Sequence, residues 1–164
     1  MTVTVRPATP EDYDQVAALL VRAYLPCGYP SSHPYFARLR ESADRAENAT
    51  LLVADDAGRV VGTATYCQIG SPYREIAADG EGEFRMLAVD PGEQSRGVGK
   101  KLVAACLDMA RAEGMTSVVL STAPWMTTAH HIYEKLGFER TPERDWSPQE
   151  GISLKTYVLG FGDA

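Results

Sequence analysis

Two stretches hold residues whose types and spacing could do chemistry: Glu83 to Lys100, EFRMLAVDPGEQSRGVGK, and Ala129 to Phe138, AHHIYEKLGF. The first begins as an apolar strand through Phe84, Met86, Leu87 and Val89. It breaks at Asp90-Pro91-Gly92, where proline fixes φ and glycine supports a left-handed turn. Gln94-Ser95-Arg96-Gly97-Val98-Gly99 then forms the mouth of a helix. A helix start presents unsatisfied N–H groups and partial positive charge, so it suits an anion, phosphate above all. Gly97 and Gly99 lack Cβ, which lets a ligand approach the backbone. Arg96 and Lys100 add formal charge beside those amides.

Three phosphate-binding patterns compete for this segment. A P-loop needs GxxxxGK followed by Ser or Thr; Lys100 is followed by Lys101 and Gln94 stands five before Gly99, so that pattern fails. A dinucleotide fingerprint needs a third Gly or Ala where Leu102 stands, and a turn separates the strand from the glycines, so that fails too. The third pattern fits. Gln94-Ser95-Arg96-Gly97-Val98-Gly99 resembles the acyl-CoA loop of the GNAT acetyltransferases, Q/R-x-x-G-x-G/A, which lies between the fourth strand and the third helix. The run Ala129–Phe138 resembles that family's A-x-x-L-Y-x-K-x-G-F element.

The resemblance implies roles residue by residue. The amides of Gln94, Ser95, Arg96, Gly97, Val98, Gly99 and Lys100 would cradle the coenzyme A pyrophosphate. The backbone of Leu87, Ala88 and Val89 would pair with the pantetheine arm as an added strand does, and the Leu87 N–H would polarise the thioester carbonyl. Tyr133 matches the tyrosine that protonates the departing thiolate. Glu83, eleven residues before Gln94, matches the position of a general-base glutamate in histone-modifying members. An acceptor-binding carboxylate and a solvated strand-end charge remain alternatives for it. Met126 stands where many relatives carry Asn against the pantetheine arm, and offers only a weak thioether acceptor. Trp125 beside it reads as packing.

The elements that must position these groups follow from local pattern. Residues 2–6 alternate as a strand, and Thr9-Pro10-Glu11-Asp12 opens a helix that buries Val16, Leu19, Leu20 and Ala23. Leu25 to Pro34, with three prolines, reads as a surface connection or as a wall of the acceptor pocket. A second helix is expected from Tyr35 to about Arg45, with Phe36, Leu39 and Ala43 inward. Thr50–Ala54, a turn at Asp55–Gly58 and Arg59–Ile69 form a hairpin, and Tyr73–Gly82 reads as a flexible connection into the central strand. Val98–Glu113 is an amphipathic helix ended by Gly114. Val118–Thr122 is a buried strand parallel to the central one. A helix capped at Thr127 or Thr128 ends at Leu136, before strands at Phe138–Arg144 and Ile152–Phe161. The expected fold is α/β (α+β): a single domain over residues 1–164, with a mixed, mostly antiparallel sheet flanked by helices.

Composition bounds the class. A 164-residue chain, 45% hydrophobic and 23% charged, has the make-up of an ordinary soluble domain. A net charge of -6 argues against a general nucleic-acid binder. Cys27, Cys67 and Cys106 form no CxxC pair and no zinc spacing, so no metal is expected and a reducing cytoplasm suits the chain. The N-terminus lacks signal-peptide order, and no apolar run is long enough to span a membrane.

With the resemblance, these readings imply an N-acetyltransferase that uses acetyl-CoA as co-substrate. It would acetylate a primary amine, small molecule or peptide, by direct attack in a ternary complex, and a homodimer is compatible with this. Glu75, Asp79, Glu81 and Glu83 favour a cationic acceptor. The alternative from another class is a non-catalytic acyl-CoA binder acting as sensor or scaffold.

Overall fold

The computed structural model describes residues 2–162, which form eight strands and five α-helices. The side chains of Gln94 and Ser95, two of the expected cofactor contacts, lie outside the described residues. The strands are β1 (Thr4–Pro7), β2 (Thr50–Asp56), β3 (Arg59–Cys67), β4 (Glu81–Val89), β5 (Ser117–Thr122), β6 (Glu139–Arg140), β7 (Trp146–Gln149) and β8 (Ile152–Gly160). The helices are α1 (Tyr13–Tyr24), α2 (Pro34–Leu39), α3 (Ser42–Asn48), α4 (Val98–Ala112) and α5 (Thr127–Lys135).

The sheet order is β1-β2-β3-β4-β5-β8-β6, with β7 paired to β8. All pairs are antiparallel except β4–β5, so the sheet is mixed and mostly antiparallel, as expected. Helices cover both faces. Val98, Leu102, Val103, Cys106 and Ala110 of α4 pack with Tyr133 of α5 on one face. Val16, Leu19 and Leu20 of α1 and Phe36 and Leu39 of α2 pack on the other. Full burial of such side chains contributes about 1.5–3 kcal/mol each.

Local chemistry explains most boundaries. The hairpin turn is only Ala57-Gly58, tighter than the four residues expected, because both adopt positive φ (51° and 92°) and so match the twist of the flanking strands. Gly114, at φ 79°, ends α4 one residue earlier than expected. The expected second helix is two helices, broken at Arg40-Glu41. Arg45 is buried and donates to the carbonyls of Arg38 (2.8 Å) and Leu39 (3.0 Å), closing the end of α2. Ala43 is exposed, and Ser42 and Arg45 face inward instead. The glycine loop therefore lies between the fourth strand and the fourth α-helix.

Two further segments differ from expectation. Tyr73–Gly80 is fastened: Tyr73 is buried and its hydroxyl bonds Asp44, while Arg144 donates to the Ile76 carbonyl at 2.7 Å. The strand expected over Phe138–Arg144 shortens to β6 before a 3-10 turn at Pro142–Arg144. The supposed gap Asp145–Gly151 contains β7, paired with β8 through Trp146↔Leu154 and Gln149↔Ile152.

Candidate active site

The site begins with a parting of two strands. β4 and β5 pair from Glu81↔Ser117 to Phe84↔Leu120 and no further, although β4 continues to Val89 and β5 to Thr122. Beyond Phe84 the edge of β4 facing β5 has no partner strand, so its backbone groups face a gap. A bulge lies on the same stretch. Met86 has φ 55°, and the β3–β4 register shifts between Thr63 and Thr65. A bulge inserts a residue and re-aims the side chains beyond it. Phe84, Leu87 and Val89 thus join the α4 face, whereas Met86 and Ala88 join the α1 face.

A cavity of about 170 Å³ occupies this gap, lined by Leu87, Val89, Gly99, Trp125, Met126 and Ile132 among others. Met126, the departure from the usual Asn, sits directly in its wall, and so does Trp125. Trp125 is more than filler, because its Nε1 donates to the Ala23 carbonyl at 2.8 Å and ties the end of α1 to the loop before α5.

The cavity reaches the start of α4. The first backbone bond of that helix is Lys101 N–H to the Gly97 carbonyl (3.1 Å), and no side chain caps it. The amides of Val98, Gly99 and Lys100 therefore precede the first intrahelical acceptor and lack a helical partner. The two glycines do different work. Gly97 has φ 74° and nothing within 4 Å of where a Cβ would sit, which fits backbone approach by a phosphate. Gly99 faces Ile132 instead, and a Cβ there would come within 2.8 Å of Ile132 Cδ1. That glycine lets α4 and α5 approach, a packing role the sequence reading assigned to the ligand.

The formal charges also differ from expectation. Arg96 donates to Glu93 (2.6 Å) and Asp56 (2.9 Å), and these bonds hold its pKa above the ordinary value while lowering that of Glu93. Its charge is largely answered within the protein. Lys100 is exposed at the helix mouth. Lys101 turns away and donates to the Val3 carbonyl at 3.0 Å.

Tyr133 and Glu83 flank the point where the strands part. Tyr133 is buried, and its ring packs against Phe84 (6.2 Å between centroids), Phe138 (5.8 Å) and Tyr157 (5.8 Å). Burial pushes its phenol well above the usual value, and interaction with the Thr122 hydroxyl opposes that only weakly. Glu83 is no solvated strand-end charge, since it is fully buried. Its Oε1 accepts the amides of Glu75 (3.0 Å), Ile76 (3.1 Å) and Ala77 (3.1 Å), whereas Oε2 is buried without a partner. Burial pushes its carboxyl upward, and the amides of Ile76 and Ala77, then the Arg85 charge, pull the other way without offsetting it. Neither residue lines the cavity. The acidic group expected around Glu83 is partly neutralised, because Glu81 pairs with Arg144 at 2.7 Å.

The segment Leu25–Pro34, read as a surface connection or a pocket wall, forms a 3-10 turn at Leu25–Cys27 and then meets the β7–β8 turn. A Cβ on Gly151 would lie 2.6 Å from the Tyr29 hydroxyl. The sequence reading passed over Arg85, which is 2% exposed and lies 5.0 Å from the Trp146 ring centre. Its signal was present: a second charge two residues after Glu83 in an otherwise apolar strand.

Comparison with known proteins agrees with this geometry. The family model described as Acetyltransferase (GNAT) family matches residues 13–138. The mycothiol acetyltransferase of Cellulomonas flavigena is 36% identical over 126 residues, covering 71% of this chain and 36% of that protein. The chain thus spans about a third of the length of curated relatives such as these. Among solved structures, Ard1 from Thermoplasma volcanium aligns with a TM-score of 0.71 at 22% identity, over 99% of this chain and 100% of that one. The yncA protein of Salmonella typhimurium, solved with its cofactor acetyl-CoA, aligns at 0.66 and 20% identity, over 100% of this chain and 96% of that one. The family match spans the strand split, the glycine loop and the Tyr133 helix, and the chain belongs to the acetyltransferase (GNAT) family.

Proposed function

We propose that this chain is an acetyl-CoA-dependent N-acetyltransferase acting on a primary amine by direct attack in a ternary complex. The observation that carries this reading is one cavity that runs along the unpaired edge of β4 to the uncapped start of α4. Bound acetyl-CoA would supply the activated acyl group and a thiol leaving group. Around it, the pyrophosphate rests on the segment from Gln94 to Lys100, chiefly on the amides of Val98, Gly99 and Lys100 that lack a helical partner. Residues 94–96 lie in the 3-10 helix over Pro91–Arg96. The backbone of Leu87, Ala88 and Val89 pairs with the extended arm as an added strand, and the Leu87 N–H donates to the thioester carbonyl.

Tyr133 donates its phenol proton to the sulfur as charge collects there. Its raised pKa keeps that proton in place until the leaving group demands it. Glu83 serves the amine, through its unpartnered Oε2, as base or as the start of a proton relay. The test is thiol release from acetyl-CoA over an amine panel, with Tyr133→Phe and Gly97→Trp as controls. Amine-dependent thiol release that falls in Tyr133→Phe supports the reading. Binding of coenzyme A with no amine-dependent thiol release would support a non-catalytic binder instead.

A further inference from the structure

Thr122 carries a buried hydroxyl at the point where the two strands part. It is 2% exposed, and among the described residues its Oγ1 has no hydrogen-bond partner. A buried hydroxyl without a partner is destabilising, and valine has nearly the same shape without that cost. On one side the strand is occupied, because Thr122 is paired with Lys155 of β8. On the other, β4 and β5 pair only as far as Phe84↔Leu120. Continued in register, Met86 would stand opposite Thr122, but Met86 has φ 55° and the ladder has ended.

Strand alternation tells which way the hydroxyl faces. Val118 and Leu120 point into the core shared with α4 and α5. Ser121 faces the other way and accepts the Trp146 indole N–H at 2.8 Å, and Ala123 packs in the core under α1. Thr122, two residues after Leu120, therefore lies on the face of Tyr133. Helix α5 brings Ala129 and Ile132 to the cavity wall and Tyr133 into the same core as Leu120. The two hydroxyls are neighbours. Burial, then Cys106 and Tyr157, push the Tyr133 phenol up, whereas Thr122 pulls it down.

We propose that Thr122 is a positioning residue for the acid step: its O–H donates to the Tyr133 phenol oxygen, leaves the phenol hydrogen for the thioester sulfur, and holds the phenolate that forms. This rests on the acetyl-transfer reading above. In that step the C–S bond breaks with its electron pair on sulfur. The phenol proton passes to that sulfur, and Thr122 keeps its own proton. The proton that leaves the acylated nitrogen then restores the phenol, so the protons balance. A hydrogen bond to an ionised oxygen is stronger than one to a neutral hydroxyl. The contact therefore strengthens as charge develops, which is what lowers a barrier. Catalytic hydrogen bonds commonly tighten only when the reacting group is in place, which fits an Oγ1 without a partner.

The experiment measures thiol release from acetyl-CoA with the fastest amine of the panel above, in Thr122→Val, Thr122→Ser, Tyr133→Phe and the double variant of Thr122→Val with Tyr133→Phe. Thr122→Val removes an unpartnered hydroxyl, so it is expected to melt no lower than wild type. Its kcat is expected to fall about 10-fold with KM for acetyl-CoA unchanged. Thr122→Ser keeps the hydroxyl and is expected to stay within about 3-fold of the wild-type kcat. In the Tyr133→Phe background, Thr122→Val is expected to change kcat less than about 2-fold, because the group it serves is gone. A purely structural role would lower kcat equally in both backgrounds. Should Thr122→Val not fold, Thr122→Ala takes its place in the same cycle. Equal losses in the two backgrounds, or an unchanged kcat in Thr122→Val where Tyr133→Phe is impaired, overturn the assignment and leave acetyl transfer standing. An unimpaired Tyr133→Phe removes the acid step and the role of Thr122 with it. Coenzyme A binding with no thiol release from any amine in the wild type overturns acetyl transfer itself.

Discussion

Gly99 and Ile132 approach so closely that a Cβ on Gly99 would lie 2.8 Å from Ile132 Cδ1. The second glycine of the loop therefore lets α5 close over α4, whereas the first, Gly97, serves a backbone at φ 74°. Gly99→Ala is expected to cost about 1–3 kcal/mol by overpacking, and Ile132→Val, which removes Cδ1, to recover most of that. Gly97→Ala is expected to cost about 1–2 kcal/mol through its left-handed backbone and to gain nothing from Ile132→Val. Urea denaturation of the single and double variants separates the two. Equal rescue at both positions would remove the distinction.

Glu83→Gln keeps an oxygen for the amides of Glu75, Ile76 and Ala77 while removing a buried charge. The folded carboxyl has a raised pKa, so folding favours its protonated form. The stability linked to Glu83 is thus full below the unfolded value of about 4.3 and is lost as pH rises through the folded pKa. Relative to wild type, Glu83→Gln should become more stable as pH rises from the unfolded value through the folded pKa, and level off above it. A flat difference across that range would contradict the raised pKa. Its kcat/KM should fall by about 10²–10⁴-fold, with the acid limb of the pH profile removed, if Glu83 serves the amine.

Tyr133→Phe retains the ring that fills the space among Phe84, Phe138 and Tyr157. We expect a stability change within about 1 kcal/mol and a fall in kcat of about 10²-fold, with KM for acetyl-CoA unchanged. Because burial raises the phenol pKa, Tyr133 should contribute no limb to the rate profile below pH 10. A rise in KM with kcat intact would place Tyr133 outside the chemistry.

Arg96 is engaged by Asp56 at 2.9 Å and Glu93 at 2.6 Å, whereas Lys100 is exposed at the mouth of α4. Lys100→Ala should therefore raise KM for acetyl-CoA more than Arg96→Ala does, by about 3- to 10-fold at low salt. The effect should shrink as salt screens the pair. Steady-state kinetics at two ionic strengths checks the order, and a larger effect of Arg96→Ala would reverse the assignment of charge.

Much of the fold was legible because its signals are local. Apolar periodicity sets α4 to within one residue of its observed end, and Gly114 at φ 79° closes it where a left-handed residue is needed. The break at Arg40-Glu41 was not legible, because it depends on Arg45 reaching back to two carbonyls of α2. The segment after Tyr73 is polar in composition, yet its amides are held by Glu83, which lies across the turn before β4. Strand alternation would also place Phe84 and Met86 on one face; the bulge at Met86 sends them to opposite cores.

The sequence by itself determined the family and the glycine loop. That loop is contiguous, its recognition groups are backbone amides, and a helix start offers them wherever glycine and turn chemistry place it. Only the tertiary structure decided which glycine packs and which stays open, where the Arg96 charge is spent, and that Glu83 is buried. It also packed Arg85 of β4 against Trp146 of β7, 5.0 Å from its ring centre. Side chains so far apart in the chain meet only through packing, and no local pattern records which of them will be left without a partner.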